Sequence, residues 1–229
     1  MTLYALRDDS CVLHLPMNEG EGSVVYDHSR YGNNGQIVGA NWTQGKFGKA
    51  LSFDGSDDYV GVPDSASLKF GEDSFSITLW LKMAEEQPAS YPHFISKWSG
   101  SIGFFAFPTE GEGCNIRVRV NSAVKTFQNT QLDDYKWHFI TIVVERDVAE
   151  KVYVYKDAVK SSTELDISEV GSVDNTNSLL ISKVDGFAGT MDEVRIYNRA
   201  LSEEEIKSLY LYYQNFEVRP CILCPRPII

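Results

Sequence analysis

The sequence is short of sulfur, imidazole and positive charge, and each shortage removes a class of function. Four cysteines and four histidines are spread over 229 residues. The histidines, His14, His28, His93 and His138, form no His-x-His or i,i+4 pair, and there is no His-Glu-x-x-His motif, Gly-x-Ser-x-Gly elbow or phosphate-binding glycine loop. Cys11 and Cys114 fall on expected strands far apart in the chain and read as buried free thiols. Cys221 and Cys224 form a Cys-x-x-Cys flanked by prolines, with no second Cys or His pair to complete a zinc site, so they read as a tail disulfide or two free thiols.

Lysine and arginine total 21 against 32 acidic residues, a net charge of −11, which argues against a nucleic acid or an anionic membrane surface as partner. No apolar run approaches the ~18–20 residues of a membrane span, so membrane insertion is not expected. Met1–Asp9 has neither the basic nor the apolar region of a secretory signal. The expected location is extracellular, cell surface or virion, reached after loss of a leader or by another route.

What the sequence does have is β-strand. Phe75-Ser-Ile-Thr-Leu-Trp-Leu-Lys82 alternates strictly, as do Ile116–Val120 and Val194–Tyr197, while Phe139–Val144 is nearly continuous apolar, as in a strand buried on both faces. Further strands are expected at Val12–Met17, Gln36–Val38, Ala50–Phe53, Tyr59–Val62, Phe94–Lys97, Phe104–Phe107, Val152–Tyr155 and Leu179–Ser182. Turn pairs such as Asn34-Gly35, Asp54-Gly55 and Ser99-Gly100 separate them. Many short strands with such turns mean an all-β sandwich or barrel. One helix is signalled: Ser202 is a cap, Glu205 closes a capping box, and Leu201 with Ile206 forms a hydrophobic staple. It is expected to end near Tyr213. Residues 1–214 read as one domain and 215–229 as a Pro-rich tail whose isoleucines and leucine would dock on the sandwich or on a second copy, giving a homo-oligomer.

Longer motifs carry a resemblance. Leu13-His-Leu-Pro-Met-Asn-Glu-Gly-Glu-Gly22 and Tyr26-Asp-His-Ser-Arg-Tyr-Gly-Asn-Asn-Gly35 open it, and Gly45-Lys-Phe-Gly-Lys-Ala-Leu-Ser-Phe-Asp-Gly55 with Asp58-Tyr-Val60 continues it. Thr78–Lys82, Trp137–Ile140 and Met191-Asp-Glu-Val-Arg-Ile-Tyr-Asn-Arg-Ala-Leu201 complete it. Over about residues 11–210 the chain resembles laminin-G-like jelly rolls of the concanavalin A-like lectin/glucanase superfamily. The resemblance implies a two-sheet antiparallel β-sandwich, the first strand paired with the last, and a binding surface on rim loops. It leaves function open, because sites are grafted onto this fold independently.

Glu164-Leu-Asp-Ile-Ser-Glu169 matches the Glu-x-Asp-x-x-Glu pattern of related glucanases, where carboxyls about 5–5.5 Å apart act as nucleophile and acid/base. Its polar surroundings read instead as a connection, with Ile167 and Val170 pointing inward and the carboxylates facing solvent. For metal, Asp27, Asn33 and Asn34 lie in an oxygen-rich, glycine-containing loop, and Asp192 shares the parity of Val194 and Ile196; together they are the candidate ligands of a structural calcium. Asp54, Asp57 and Asp58 read as a hairpin turn. Trp42, Trp80 and Trp137 take packing positions, which leaves Trp98, at a strand edge, with Tyr91 and His93 beside the polar loop Glu85–Pro92, as candidate ligand-binding residues. The reading is a non-enzymatic carbohydrate-binding or adhesion module whose partner is a glycan or a protein assembly. The alternative is a structural component of a larger assembly such as a virion, and a glucanase ranks third.

Overall fold

The alternating segments become two packed antiparallel sheets in the computed structural model, which describes residues 8–87, 92–109, 113–182 and 186–217, with side chains as far as residue 212. In chain order come β1 (Cys11–Leu15), β2 (Val24–Val25), β3 (Gly35–Val38), β4 (Asn41–Gln44), β5 (Lys49–Asp54) and β6 (Tyr59–Val62), then the long β7 (Phe75–Met83). β8 (Ile95–Ser99), β9 (Ile102–Pro108), β10 (Ile116–Val120) and β11 (Ala123–Thr126) form a meander. β12 (Trp137–Glu145), β13 (Lys151–Lys156), β14 (Val159–Lys160), β15 (Leu165–Asp166), β16 (Leu179–Ser182), β17 (Ala188–Tyr197) and helix α1 (Glu203–Glu217) follow. One sheet runs β14-β13-β12-β7-β17-β5-β4, with β1 also on β17 and β15 on β13; the other runs β11-β10-β9-β8-β16-β6-β3-β2. The first strand pairs with the last as expected, Leu15 opposite Val194.

Between the sheets, Leu13, Phe75, Ile77, Leu79, Ile140 and Ile142 of the first meet Val60, Phe104, Val118, Leu179 and Ile181 of the second. On the outer face of the first sheet, Trp80 of β7, flanked by Thr78 and Lys82, joins Phe139 and Val143 of β12, Tyr155 of β13 and Tyr197 of β17 in a second cluster closed by Leu201, Ile206 and Leu209. The helix is therefore a lid over the first sheet. Its start is the capping box read from sequence: Glu205 N donates to Ser202 Oγ at 3.2 Å and Ser202 N to Glu205 Oε2 at 2.9 Å. Arg199 grips Glu205 through two nitrogens at 2.7 and 2.8 Å and also bonds Asp8. α1 runs to Glu217, past the expected end. Cys221, Cys224 and the rest of the tail lie outside the described residues.

β17 pairs β7 along one edge, and β5 and then β1 along the other. Between those two partners the register shifts, and Glu193 takes φ 53°. This bulge places Met191, Val194 and Ile196 in the core, so Asp192, opposite Trp80, turns to the outer face. Asp192 therefore does not point inward as its parity with Val194 and Ile196 implies, because one extra residue reverses alternation. Cys114 likewise lies before β10 and not on a strand, and both Cys11 and Cys114 are half-buried.

His138 stands between two carboxylates, Nδ1 at 2.7 Å from Asp157 and Nε2 at 2.7 Å from Asp134, which ties the start of β12 to the turns around it. Burial pulls its pKa down, but hydrogen bonds to Asp157 and Asp134 outweigh burial and raise it above the usual imidazole value. A folded pKa above the unfolded value of about 6.5 gives stability that is full in acid and is lost as pH rises through the folded value. Urea unfolding of wild type and His138→Gln should therefore differ most below pH about 6.5 and converge on the alkaline side. A difference that is constant with pH would mean that the imidazole is neutral in the fold.

Candidate functional site

The meander β8–β10 builds a surface patch by simple alternation. Phe104, Ala106 and Val118 enter the core, so Trp98, Phe105, Phe107, Arg117 and Arg119 face outward from the second sheet. His93 stacks on Phe105, with centroids 4.1 Å apart, and lies 5.1 Å from Phe107. Trp98 meets Phe105 edge-on at 4.9 Å. The Arg119 guanidinium lies 4.9 Å from the Trp98 ring and 5.8 Å from Phe105, and Arg117 lies 5.9 Å from Phe107. Both arginines are anchored through Nε, Arg117 to Thr126 Oγ1 at 2.7 Å and Arg119 to the Asn121 carbonyl at 2.8 Å.

The support beneath Trp98 is rigid for a stated reason. Its neighbour Lys97 is buried, and a buried ammonium must be paired. Its three donors go to Asp64 at 2.8 Å and to the carbonyls of Asn175 at 3.0 Å and Asn177 at 2.8 Å. Asn177 Nδ2 in turn donates to the Trp98 carbonyl at 2.6 Å. Trp98, Arg117 and Arg119 are half-buried and present the patch's open surface, whereas Phe105, Phe107 and His93 are buried beneath it. His93 therefore supports the plate and does not stand on a rim, a correction to its expected role. Tyr91 lies outside the described residues. Of the packing tryptophans, Trp80 is fully buried, while Trp42 and Trp137 are half-buried against the core. Phe105, Phe107, Arg117 and Arg119 were not singled out by the sequence, although their alternation carried the signal once the β9–β10 register is known.

Among the described residues the patch has no acid/base pair, and the groups that resemble one elsewhere are otherwise engaged. Glu164 is exposed and bonded to Lys151 at 2.6 Å, which holds its carboxyl below the usual range; Asp166 accepts from Ser168 and is lowered likewise. Ile167 and Val170 enter the core as expected. A general acid needs the opposite shift. A polar cleft of about 320 Å³ beside β1 is lined by Asp8, Asp9, Cys11, His14, His28, Ser29 and Arg30. There burial pushes the Cys11 thiol up to about 11, and burial lowers His14 although Nε2 lies 2.9 Å from Glu193. A protonated thiol is no nucleophile.

The proposed calcium ligands do not converge. Asp27 Oδ1 accepts from His14 N and Ser29 N, and Oδ2 from Ser29 Oγ and Asn33 N, at 2.6–2.9 Å. Asn34 Oδ1 accepts from Asp27 N, Asn33 Oδ1 accepts from Ser65 Oγ, and Asn33 Nδ2 donates to the Val12 carbonyl. The loop thus covers the free edge of β1, and its oxygens are filled by N–H and O–H donors rather than open to a cation. Asp192 takes the Phe47 N–H on Oδ2 at 2.9 Å, and its Oδ1 is buried without a partner. Burial pushes its pKa up to about 8, with the Glu193 charge adding to the shift. These residues as arranged do not fit calcium. Among the described residues, Asp54, Asp57 and Asp58 are the group whose carboxylate oxygens all lie within 4.8 Å of one another; Asp58 Oδ2 also receives the Asp54 N–H, which is the turn role expected. Asp27→Ala should cost about 1–3 kcal/mol, by stranding the donors that face it, and by the same amount in chelator and in millimolar calcium. Calcium stabilisation present in wild type and absent from Asp27→Ala would restore the metal reading.

Comparison with known proteins places this geometry in a lineage. Over 102 residues the chain is 32% identical to Paraclostridial mosquitocidal protein 1 of Paraclostridium bifermentans, and that match covers 41% of this chain and 8% of the relative. The solved binding domain of that protein superposes with a TM-score of 0.74 at 19% identity, over 90% of this chain and 53% of the other. The binding domain of botulinum neurotoxin serotype D gives 0.68 at 16%, over 91% and 52%. This chain thus spans about half the length of those binding domains. Domain 4 of AbnA, a GH43 extracellular arabinanase of Geobacillus stearothermophilus solved with arabinotriose, gives 0.64 at 18%, over 88% and 98%. Residues 54–207 match the laminin G family of the concanavalin A-like lectin/glucanases superfamily, and the chain belongs to it.

Proposed function

We propose that this chain is a non-catalytic glycan-binding module that works outside the cell producing it, with the Trp98 face of β8–β10 as its ligand surface. The observation that carries this reading is the half-exposed Trp98 plate, edge-packed on Phe105 and held from below by the saturated Lys97. Sugar rings present flat C–H faces, and an aromatic plate with a few fixed polar donors is the usual surface for them. The paired state of Glu164 and Asp166 supports binding over hydrolysis. The likeness to toxin binding domains, and to a domain solved with arabinotriose, supports the same reading and an extracellular setting.

A glycan array on the whole chain, followed by titration of whatever it retains, tests this. Trp98→Ala should abolish retention and cost about 1–2 kcal/mol of stability, less than the ~3–5 kcal/mol of a fully buried ring such as Trp80. A folded Trp98→Ala protein that keeps full affinity would put the ligand elsewhere.

A further inference from the structure

Resting on that reading, we infer that the Trp98 surface is built for a sugar bearing a carboxylate, with Arg117 and Arg119 as its charge-recognising residues. The chain carries a net charge of −11, with 32 acidic residues to pair its 21 basic ones. Among the described residues, every arginine–carboxylate contact belongs to Arg30, Arg195 or Arg199. Arg117 and Arg119 have none, although they stand two residues apart on one face of β10, about 7 Å from each other by strand geometry. Arg146 also lacks a carboxylate, but its terminal nitrogens are taken up by the Val170 and Gly171 carbonyls. Among the described arginines, Arg117 and Arg119 are the two whose terminal nitrogens meet neither a carboxylate nor a carbonyl.

Their fixation matters as much as their charge. Each Nε is bonded within the protein and each guanidinium lies against a ring, while the terminal nitrogens make no hydrogen bond among the described residues. A planar fork held in this way matches the two oxygens of a carboxylate, which a neutral sugar does not offer. Trp98 then receives the ring face of the same residue of the glycan. Uronic acids and sialic acids both bring this carboxylate, and they differ in whether it hangs from the pyranose C5 or from the anomeric carbon.

The whole protein is titrated calorimetrically with trigalacturonate and its methyl ester, and with sialyllactose and lactose. At least one acidic sugar should bind tenfold or more tighter than its neutral counterpart, and the preference should shrink as salt rises from 20 to 300 mM. Arg119→Gln and Arg117→Gln should each erase most of that preference at an unchanged melting temperature. Arg119→Lys, which keeps the charge and loses the fork, should retain a reduced preference, and it serves as the second variant if the glutamine substitution disturbs Trp98. Equal affinity for acidic and neutral forms, with binding still lost in Trp98→Ala, would overturn this inference and leave the glycan reading standing. No binding of any array glycan or of these four probes would overturn both.

Discussion

The central strands β7 and β12 carry the inner core on one face and, at Trp80, Phe139 and Val143, a second apolar cluster on the other, and the rest of the molecule is arranged around that constraint. Their inner side chains, Ile77, Leu79, Ile140 and Ile142 among them, pack against the second sheet. Their outer ones, Trp80, Phe139 and Val143, would expose a wide hydrophobic face if nothing lay over them. The chain meets this by returning after β17 as a helix whose Ile206 and Leu209 close the cluster. The capping box at Ser202 and the grip of Arg199 on Glu205 fix where the helix begins, so that its apolar stripe falls on Trp80 and not beside it. One face of the molecule is thereby committed to stability.

The second sheet needs no such lid. Its outer face carries polar or small residues over much of its area, Gln36, Gly61 and Ser96 among them, and concentrates aromatic rings at β8–β10. There the rings are stacked beneath half-exposed Trp98 and two arginines, and their base is a buried lysine with every donor used. A binding surface on strands of a packed sheet moves less than one on loops, so its groups are already placed when the ligand arrives. The division into a lidded sheet and an open one links the fold to the function proposed for it.

Much of this was legible in the sequence, and the illegible parts share a physical cause. Tyr59–Val62, Ile116–Val120 and Leu179–Ser182 appear with the bounds that alternation set, and the cap at Ser202 forms both of its hydrogen bonds. These features are local: a period of two, or a spacing of three. Asp192 was misdirected because a bulge at Glu193, fitted between β5 and β1 on the same edge of β17, is decided by pairing with distant strands. The Asp27 loop resembles a cation cradle because carboxylate and amide oxygens bind N–H groups as readily as calcium, and only the fold shows that the loop's own Ser29 and Asn33, with His14 N of β1, supply those groups. The arginine–aromatic patch was hidden for a related reason. Trp98, Phe105 and Arg119 are separate in sequence and meet only when two hairpins are laid in register. His93 looked like a loop residue, yet its ring is packed into that same stack.

The four tryptophans offer a direct report on where ligand binds, since each indole N–H gives its own nuclear magnetic resonance signal. Trp80 lies under the helix, and Trp42 and Trp137 pack against the core clusters, while Trp98 faces outward from the second sheet. On titration with a glycan that the protein retains, the Trp98 indole signal should shift progressively to saturation while those of Trp42, Trp80 and Trp137 stay in place. A saturable shift of any of those three, with Trp98 stationary, would contradict the account.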